Sequence, residues 1–298
     1  MDRKQKINWI VAFCFVLFLC GVSCGKKQTE PNTPIQDLLT QYPLENMLSF
    51  AAAKDGTVYG VNCITGEDPE YQLHRFNAQG EEEEYVSLKN YFMVNTPALS
   101  EDEKTLYFTA ENDTYGFELY LFAYSLSDGS ITMLCEFPYF TSIKQVTVVG
   151  NTIYLLGKSP NWQEKESPAS GYPFAGERLV SYAIDTKEQR QLGFDFPINM
   201  AASGTGTLIV SGYLNGTGYC LMEYDPEKDS MQVIGSMEKY KFDRFAVCND
   251  GKDVIYDYIN KQRGLVLSEI KNLAVETELY PAGSAAWAPV LYVGGKVY

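Results

Sequence analysis

The run DEKTLYFTAENDTYGFELYLFAYSLSDGSITMLCEF, residues 102–137, decides the fold. It opens on a polar turn and enters KTLYFTA (104–110), a short segment rich in aromatic and β-branched residues. A polar break leads to LYLFAYSLSDG (119–129), and the Ser-Asp-Gly turn delivers SITMLCEF (130–137). Segments of this length and composition, bounded by Gly, Asp, Asn and Ser, read as antiparallel strands joined by hairpins. The same phrase recurs along the chain. DGTVYGV (55–61), NTIYLLG (151–157), GTLIVSG (206–212), DVIYDYI (253–259) and GGKVY (294–298) align on Tyr59, Tyr107, Tyr154, Ile209, Tyr256 and Tyr298. The intervals are 48, 47, 55, 47 and 42 residues.

Each of the first five segments is followed by a second strand ending in a turn and then by a third, as in YCLMEYDPEKD (219–229) and SMQVIGSM (230–237). Each is preceded by a further apolar stretch, such as MLSFAAA (47–53) or IKQVTVV (143–149). Four antiparallel strands per unit of about 45 residues is the signature of a β-propeller blade. The expected fold is therefore all-β, a propeller of five complete four-stranded blades and a partial sixth, with blades starting near 47, 93, 143, 198, 243 and 286. The sixth breaks off at Tyr298, which reads as a chain that continues.

Composition agrees with a folded, strand-built protein. Hydrophobic residues make up 45% of the 298 positions, enough for a large core. With 24 Lys+Arg against 38 Asp+Glu the formal charge is −14, which argues against attraction to nucleic acid or to anionic lipid.

The N-terminus is organised differently. Arg3, Lys4 and Lys6 precede an apolar run from Trp9 to Cys20, and the small residues Gly21 and Ser23 come just before Cys24. That order is a secretory leader, and its apolar run is shorter than a spanning helix requires. The Val22-Ser23-Cys24 sequence resembles the lipobox of bacterial lipoproteins, although Gly21 stands where that family usually has Leu. The resemblance implies cleavage after residue 23, a lipid on Cys24 and a location in the bacterial cell envelope outside the cytoplasm. Residues 24–45, polar and holding Pro31, Pro34 and Pro43, read as a tether, leaving 46–298 as the propeller domain.

The blade sequences resemble other exported bacterial propellers. Residues 102–129 look like a blade of the Tol-system periplasmic propeller and of the propellers that precede prolyl-oligopeptidase hydrolases. RFNAQG (75–80) and EYDPEKD (223–229) resemble blade turns of lipoproteins whose propeller precedes an extracellular solute-binding domain. Such likeness speaks for fold and little for function, because propellers host unrelated activities.

Catalytic signals are sparse. His74 is the one histidine, placed on a third strand beside Arg75, and reads as a surface strand residue. No G-x-S-x-G or H-E-x-x-H motif occurs. The expected innermost strands carry one carboxylate, Asp243 beside Arg244, whereas glycoside hydrolysis needs two. The acidic runs Glu81–Glu84 and Glu101–Glu103 lack calcium-loop spacing and read as solvated faces. Neither a metal site nor a cofactor is expected. Cys63, Cys135, Cys220 and Cys248 lie far apart; they permit three disulfide pairings or serve as buried free thiols.

Binding signals are stronger. In propeller order, the loops between second and third strands and the loops joining blades share one face. Residues 158–178 form the single long insertion and hold Trp162, Tyr172 and Phe174. Tyr91, Phe92, Tyr139, Phe140 and Trp287 are expected on the same face. Exposed aromatics suit stacking on sugars or anchoring a peptide. The expected function is thus a non-catalytic binding module for a glycan, peptide or envelope protein. The alternative is the N-terminal propeller of a longer solute-binding or hydrolase lipoprotein.

Overall fold

The computed structural model describes residues 47–66, 69–92, 94–95, 97–112, 116–138, 140–159, 176–236, 244–248, 253–259, 265–271, 275–280, 292–293 and 296–297. From residue 244 onward the description is of the backbone, with side chains only at Phe245 and Val247. The leader, Cys24 and the tether lie outside these residues, as do Tyr139, Trp162, Tyr172, Phe174, Asp243 and Trp287.

Every described element is a strand, and the strands assemble as the repeat requires. Blade 1 comprises β1 (Ser49–Ala52), β2 (Val58–Ile64), β3 (Glu70–Phe76) and β4 (Glu82–Ser87), hydrogen-bonded in chain order. Blade 3 repeats this with β10 (Ser142–Val149), β11 (Thr152–Lys158), β12 (Glu177–Ala183) and β13 (Gln189–Gln191). Blade 4 does so with β14 (Phe196–Ala202), β15 (Leu208–Leu214), β16 (Gly218–Asp225) and β17 (Ser230–Ser236). Blade 5 holds β18 (Arg244–Cys248), β19 (Asp253–Ile259), β20 (Leu265–Lys271) and β21 (Val275–Tyr280). All these pairings are antiparallel. Beyond them β22 (Tyr292–Val293) pairs with β23 (Lys296–Val297).

Blade 2 departs from the pattern. Its innermost position is split into β5 (Tyr91–Phe92) and β6 (Ala98–Leu99), which both pair with β7 (Thr105–Asn112). Pro97, which has no N–H to give a ladder, sits in the gap. The blade continues through β8 (Gly116–Ser125) and β9 (Ile131–Glu136).

The blades are held together face to face. Alternation along each strand sends one set of side chains to each neighbour. Val61 and Leu73 of blade 1 thereby meet Leu106 and Phe108 of blade 2. Leu121 and Phe137 meet Ile153 and Leu155 across the next joint, and Leu156 and Leu179 meet Met200 and Val210 across the third. Rings add directional contacts: Tyr154 of blade 3 meets Tyr224 of blade 4 edge-on at 6.3 Å, and within blade 2 Phe108 and Phe122 stack at 5.5 Å.

Polar ties run beside the apolar joints. The Lys54 amide donates to Glu103 Oε1 at 2.9 Å, linking the first turns of blades 1 and 2, so one acidic run does more than face solvent. Arg190 of β13 pairs with Asp229 in the β16–β17 turn, which also accepts from Tyr224 Oη at 2.8 Å. Asp229 adopts a left-handed backbone (φ 49°), a conformation Asp tolerates, and its two partners hold it there.

Candidate functional site

Antiparallel order fixes which residues can meet a ligand. The innermost strand of each blade starts where the second strand ends and the third begins. Those ends, with the blade-joining segments, form one rim of the ring, called here the head. The turns after first and third strands lie on the opposite rim.

At the head of blades 3 and 4 the innermost strands share an irregularity. In β10–β11 the register jumps between Ile143 and Gln145, leaving Lys144 as an extra residue. In β14–β15 it jumps between Pro197 and Asn199, leaving Ile198. These are β-bulges at the same place in consecutive blades, and a bulge re-aims its side chain. Both depend on a glycine opposite. A Cβ on Gly157 would lie 2.3 Å from Ser142 O, and one on Gly212 would lie 2.6 Å from Phe196 O. Only hydrogen fits where the backbones approach this closely.

The bulges bring polar groups to the head of the joint. Lys144 Nζ donates to Ile198 O at 2.7 Å and lies 3.9 Å from Glu177 Oε2. The Lys144 side chain keeps 38% of its exposure while that of Glu177 keeps 16%. Lys158, exposed, stands directly opposite Glu177 in the β11–β12 register, on the same face of the sheet. Gln145 clasps Met200: its Oε1 accepts from the Met200 amide at 3.0 Å and its Nε2 donates to Met200 O at 2.5 Å. The result is a partly exposed ammonium beside a largely buried carboxylate, framed by a main-chain clasp. This group can hold a charged or hydroxyl-bearing ligand by hydrogen bonds.

Aromatic residues also gather at the head. Tyr213 and Tyr219, half-buried, meet edge-on at 5.4 Å beside the β15–β16 turn, and Phe196 joins Tyr213 at 6.1 Å. The Asn215 amide donates to Asp195 Oδ2 at 2.9 Å and fixes this turn to the blade-joining segment.

Several expected site residues lie elsewhere. Phe140 is buried in the joint between blades 2 and 3, 6.2 Å from Phe137, and offers no surface to a ligand. Tyr91 belongs to β5 rather than a loop, with its ring edge-on to Phe108 and Phe122. Apolar packing wins because the segment joining two blades crosses the end of the joint. His74 is a correction to the surface reading: it is buried on β3, stacked against Phe76 and Tyr85, with Nδ1 2.9 Å from Glu82 Oε1. That position next to a core Phe suits a packed ring. Cys63, Cys135 and Cys220 are free thiols. Burial pushes the Cys135 thiol up to about 12 and raises that of Cys220. Among the described residues, no three His, Cys, Asp or Glu side chains gather as metal ligands, and no helix is long and apolar enough to cross a membrane.

Lys144 and Gln145 belong to no catalytic motif and are neither carboxylates nor loop aromatics. A signal was present: two adjacent polar residues break the alternation of IKQVTVV.

The strand order and the blade joints define a β-propeller, and solved structures agree. TolB from Acinetobacter baumannii is similar over 76% of this chain and 52% of its own, at 16% identity and a TM-score of 0.55. A propeller of the nidogen/laminin complex matches over 79% and 80% at 13% identity and a TM-score of 0.53. Prolyl endopeptidases match over 83% of this chain and 37% of theirs, at 14% and a TM-score of 0.55. These likenesses, Tol-system and prolyl-oligopeptidase propellers among them, concern the fold. The chain spans about half the length of TolB. No protein family description matches the sequence, and no curated protein matches it.

Proposed function

We propose that this chain is a lipid-tethered propeller of the bacterial envelope that binds a glycan, peptide or protein outside the cytoplasm, without catalysing a reaction. The ligand sits on the head, where the Lys144–Glu177 pair and the tyrosines of blade 4 are presented. The observation that carries the reading is the matched pair of bulges, which spends two register breaks to turn Lys144 out beside Glu177. Regular pairing would have served packing alone. The leader ending in Cys24 supports the location, and a propeller found in a nidogen/laminin complex supports the general use of this fold in binding.

The test uses the lipid-free chain from residue 25 onward, screened on immobilised glycans and on envelope-derived peptides. Lys144→Met and Trp162→Ala are expected to weaken a detected interaction at least tenfold. Binding that survives both substitutions removes the head from the proposal. Cys24→Ser is expected to shift the full-length protein from the membrane fraction to the soluble one.

One observation favours a second reading, an accessory propeller within a longer solute-binding or hydrolase lipoprotein. The matched stretch is 37% of the prolyl endopeptidase chain, so most of that chain lies outside the likeness. A transcript whose reading frame continues into a further folded domain would select this reading.

A further inference from the structure

Charges are unevenly matched at the mouth of the joint between blades 3 and 4. Leu156 and Leu179 pack against blade 4. Alternation therefore turns Lys158 and Glu177, two residues nearer the head on the same strands, into the mouth of that joint. Lys144 reaches the same mouth from its bulge, since its ammonium meets Ile198 O of blade 4. Glu177, largely buried, is thus flanked by two lysines: Lys144 at 3.9 Å and exposed Lys158 directly opposite in the ladder. Among the described residues Lys144–Glu177 is the ion pair of this mouth, and Lys158 enters none. Arg178 shares the other face with Val180, toward blade 2. Two ammoniums against one carboxylate leave a local positive surplus on a chain whose formal charge is −14.

The facing wall of blade 4 adds no charge. Leu208 and Val210 fill the joint, and the next positions on that face are Gly212 and half-buried Leu214. Asp195, on the segment entering blade 4, accepts the Asn215 amide at 2.9 Å. The net negative charge of the chain acts from afar, but screening limits its reach to about 8 Å at physiological ionic strength, so the groups lining the mouth decide what docks. We infer that this mouth takes a uronic-acid unit of an acidic glycan, with the sugar carboxylate on Lys158 and Lys144 and a ring hydroxyl on Glu177. This rests on the head being the binding face. Paired ammoniums favour a carboxylate, which they hold by charge-assisted hydrogen bonds. The carboxylate beside them repels a ligand that is anionic all round and accepts from a hydroxyl on the same ligand. An extended peptide is disfavoured because it needs main-chain partners. At this edge Gln145 engages both the N–H and the C=O of Met200, and Lys144 engages Ile198 O.

Calorimetric titration of the lipid-free chain from residue 25 onward tests this. The probes are oligomers of mannuronate, galacturonate and glucuronate, each beside the neutral oligomer of its parent sugar, with poly-glutamate as the acidic peptide. At least one uronate oligomer is expected to bind about tenfold or more tighter than its neutral parent. Lys158→Gln should erase that preference and leave affinity for the neutral oligomer unchanged. Lys104, whose side chain is 78% exposed in the β6–β7 turn on the opposite rim, supplies the control, and Lys104→Gln should alter neither. Equal affinity for charged and neutral oligomers, uronate binding indifferent to Lys158→Gln, or no uronate binding at all overturns the inference. Poly-glutamate bound more tightly than every uronate overturns it as well and makes the ligand an acidic peptide. The head itself is judged separately: a neutral glycan or envelope peptide lost on Lys144→Met keeps the head as the binding face while the uronate assignment fails. Binding indifferent to both Lys144→Met and Trp162→Ala removes the two together.

Discussion

Replacing Gly157 with alanine probes the bulge that presents Lys144. The new Cβ would sit 2.3 Å from Ser142 O and 3.0 Å from carbons of Phe140 and Ile143, where about 3.0 Å is the least that real contacts show. The Ser142 carbonyl must therefore retreat by roughly 0.7 Å, and Phe140 and Ile143, both in the packed joint, leave it little room. Overpacking of this kind costs about 1–3 kcal/mol. Alanine recovers about 0.5–1 kcal/mol through its smaller entropy loss in a strand. The net expectation is a loss of about 1–2 kcal/mol, or roughly 2–8 °C in Tm for a domain of this size. Gly212→Ala should cost less, because its Cβ would overlap Phe196 O at 2.6 Å rather than 2.3 Å and its other two contacts lie at 3.1 and 3.2 Å. Gly204→Ala, with nothing within 4 Å, should be neutral or slightly stabilising. Urea unfolding of the three variants followed by circular dichroism gives the ranking. If Gly157→Ala is as stable as Gly204→Ala, close approach is not why glycine stands there, and the account of the bulge fails.

Lys144→Met keeps the apolar stem and removes the bond to Ile198 O, so stability should drop by only about 1 kcal/mol, read from the urea midpoint, because the ammonium is partly solvated. Acid should weaken the fold through Asp55, Asp128, Asp225 and Asp229. The first two are held below the ordinary 3.8 chiefly by backbone N–H donors of Thr57 and Ser130, the others by Lys228 and by Arg190. A depressed folded value means this stabilisation is complete above about pH 4 and fades as pH falls below 3.8. Asp229→Asn should make the acid limb of a pH–stability curve shallower. At the other extreme, burial above all pushes Tyr154 and Tyr224 up to about 12, so ultraviolet titration should show both neutral at pH 10.5 in the native protein. Cys135 should react with a thiol reagent at pH 8 far more slowly in the folded protein than in urea, because its thiol stays protonated.

The sequence alone determined the blade and its repetition. Strand identity follows from local alternation and turn chemistry, and both are written in consecutive residues such as KTLYFTA and the Ser-Asp-Gly turn after it. The fixed interval between Tyr59, Tyr107 and Tyr154 then requires like units packed against one another. Tertiary structure decided which side chains reach a ligand. Tyr91 and Phe140 look like loop aromatics in the chain, yet both insert into blade joints. His74 looks superficial and is buried. Lys144 looks like a stray polar residue in an apolar strand until blade 4 brings Ile198 O to its ammonium, across 54 residues of sequence. A strand's pattern says which of its residues share a face. It does not say what the facing blade places opposite, because that depends on register breaks and close backbone approaches between segments distant in the chain.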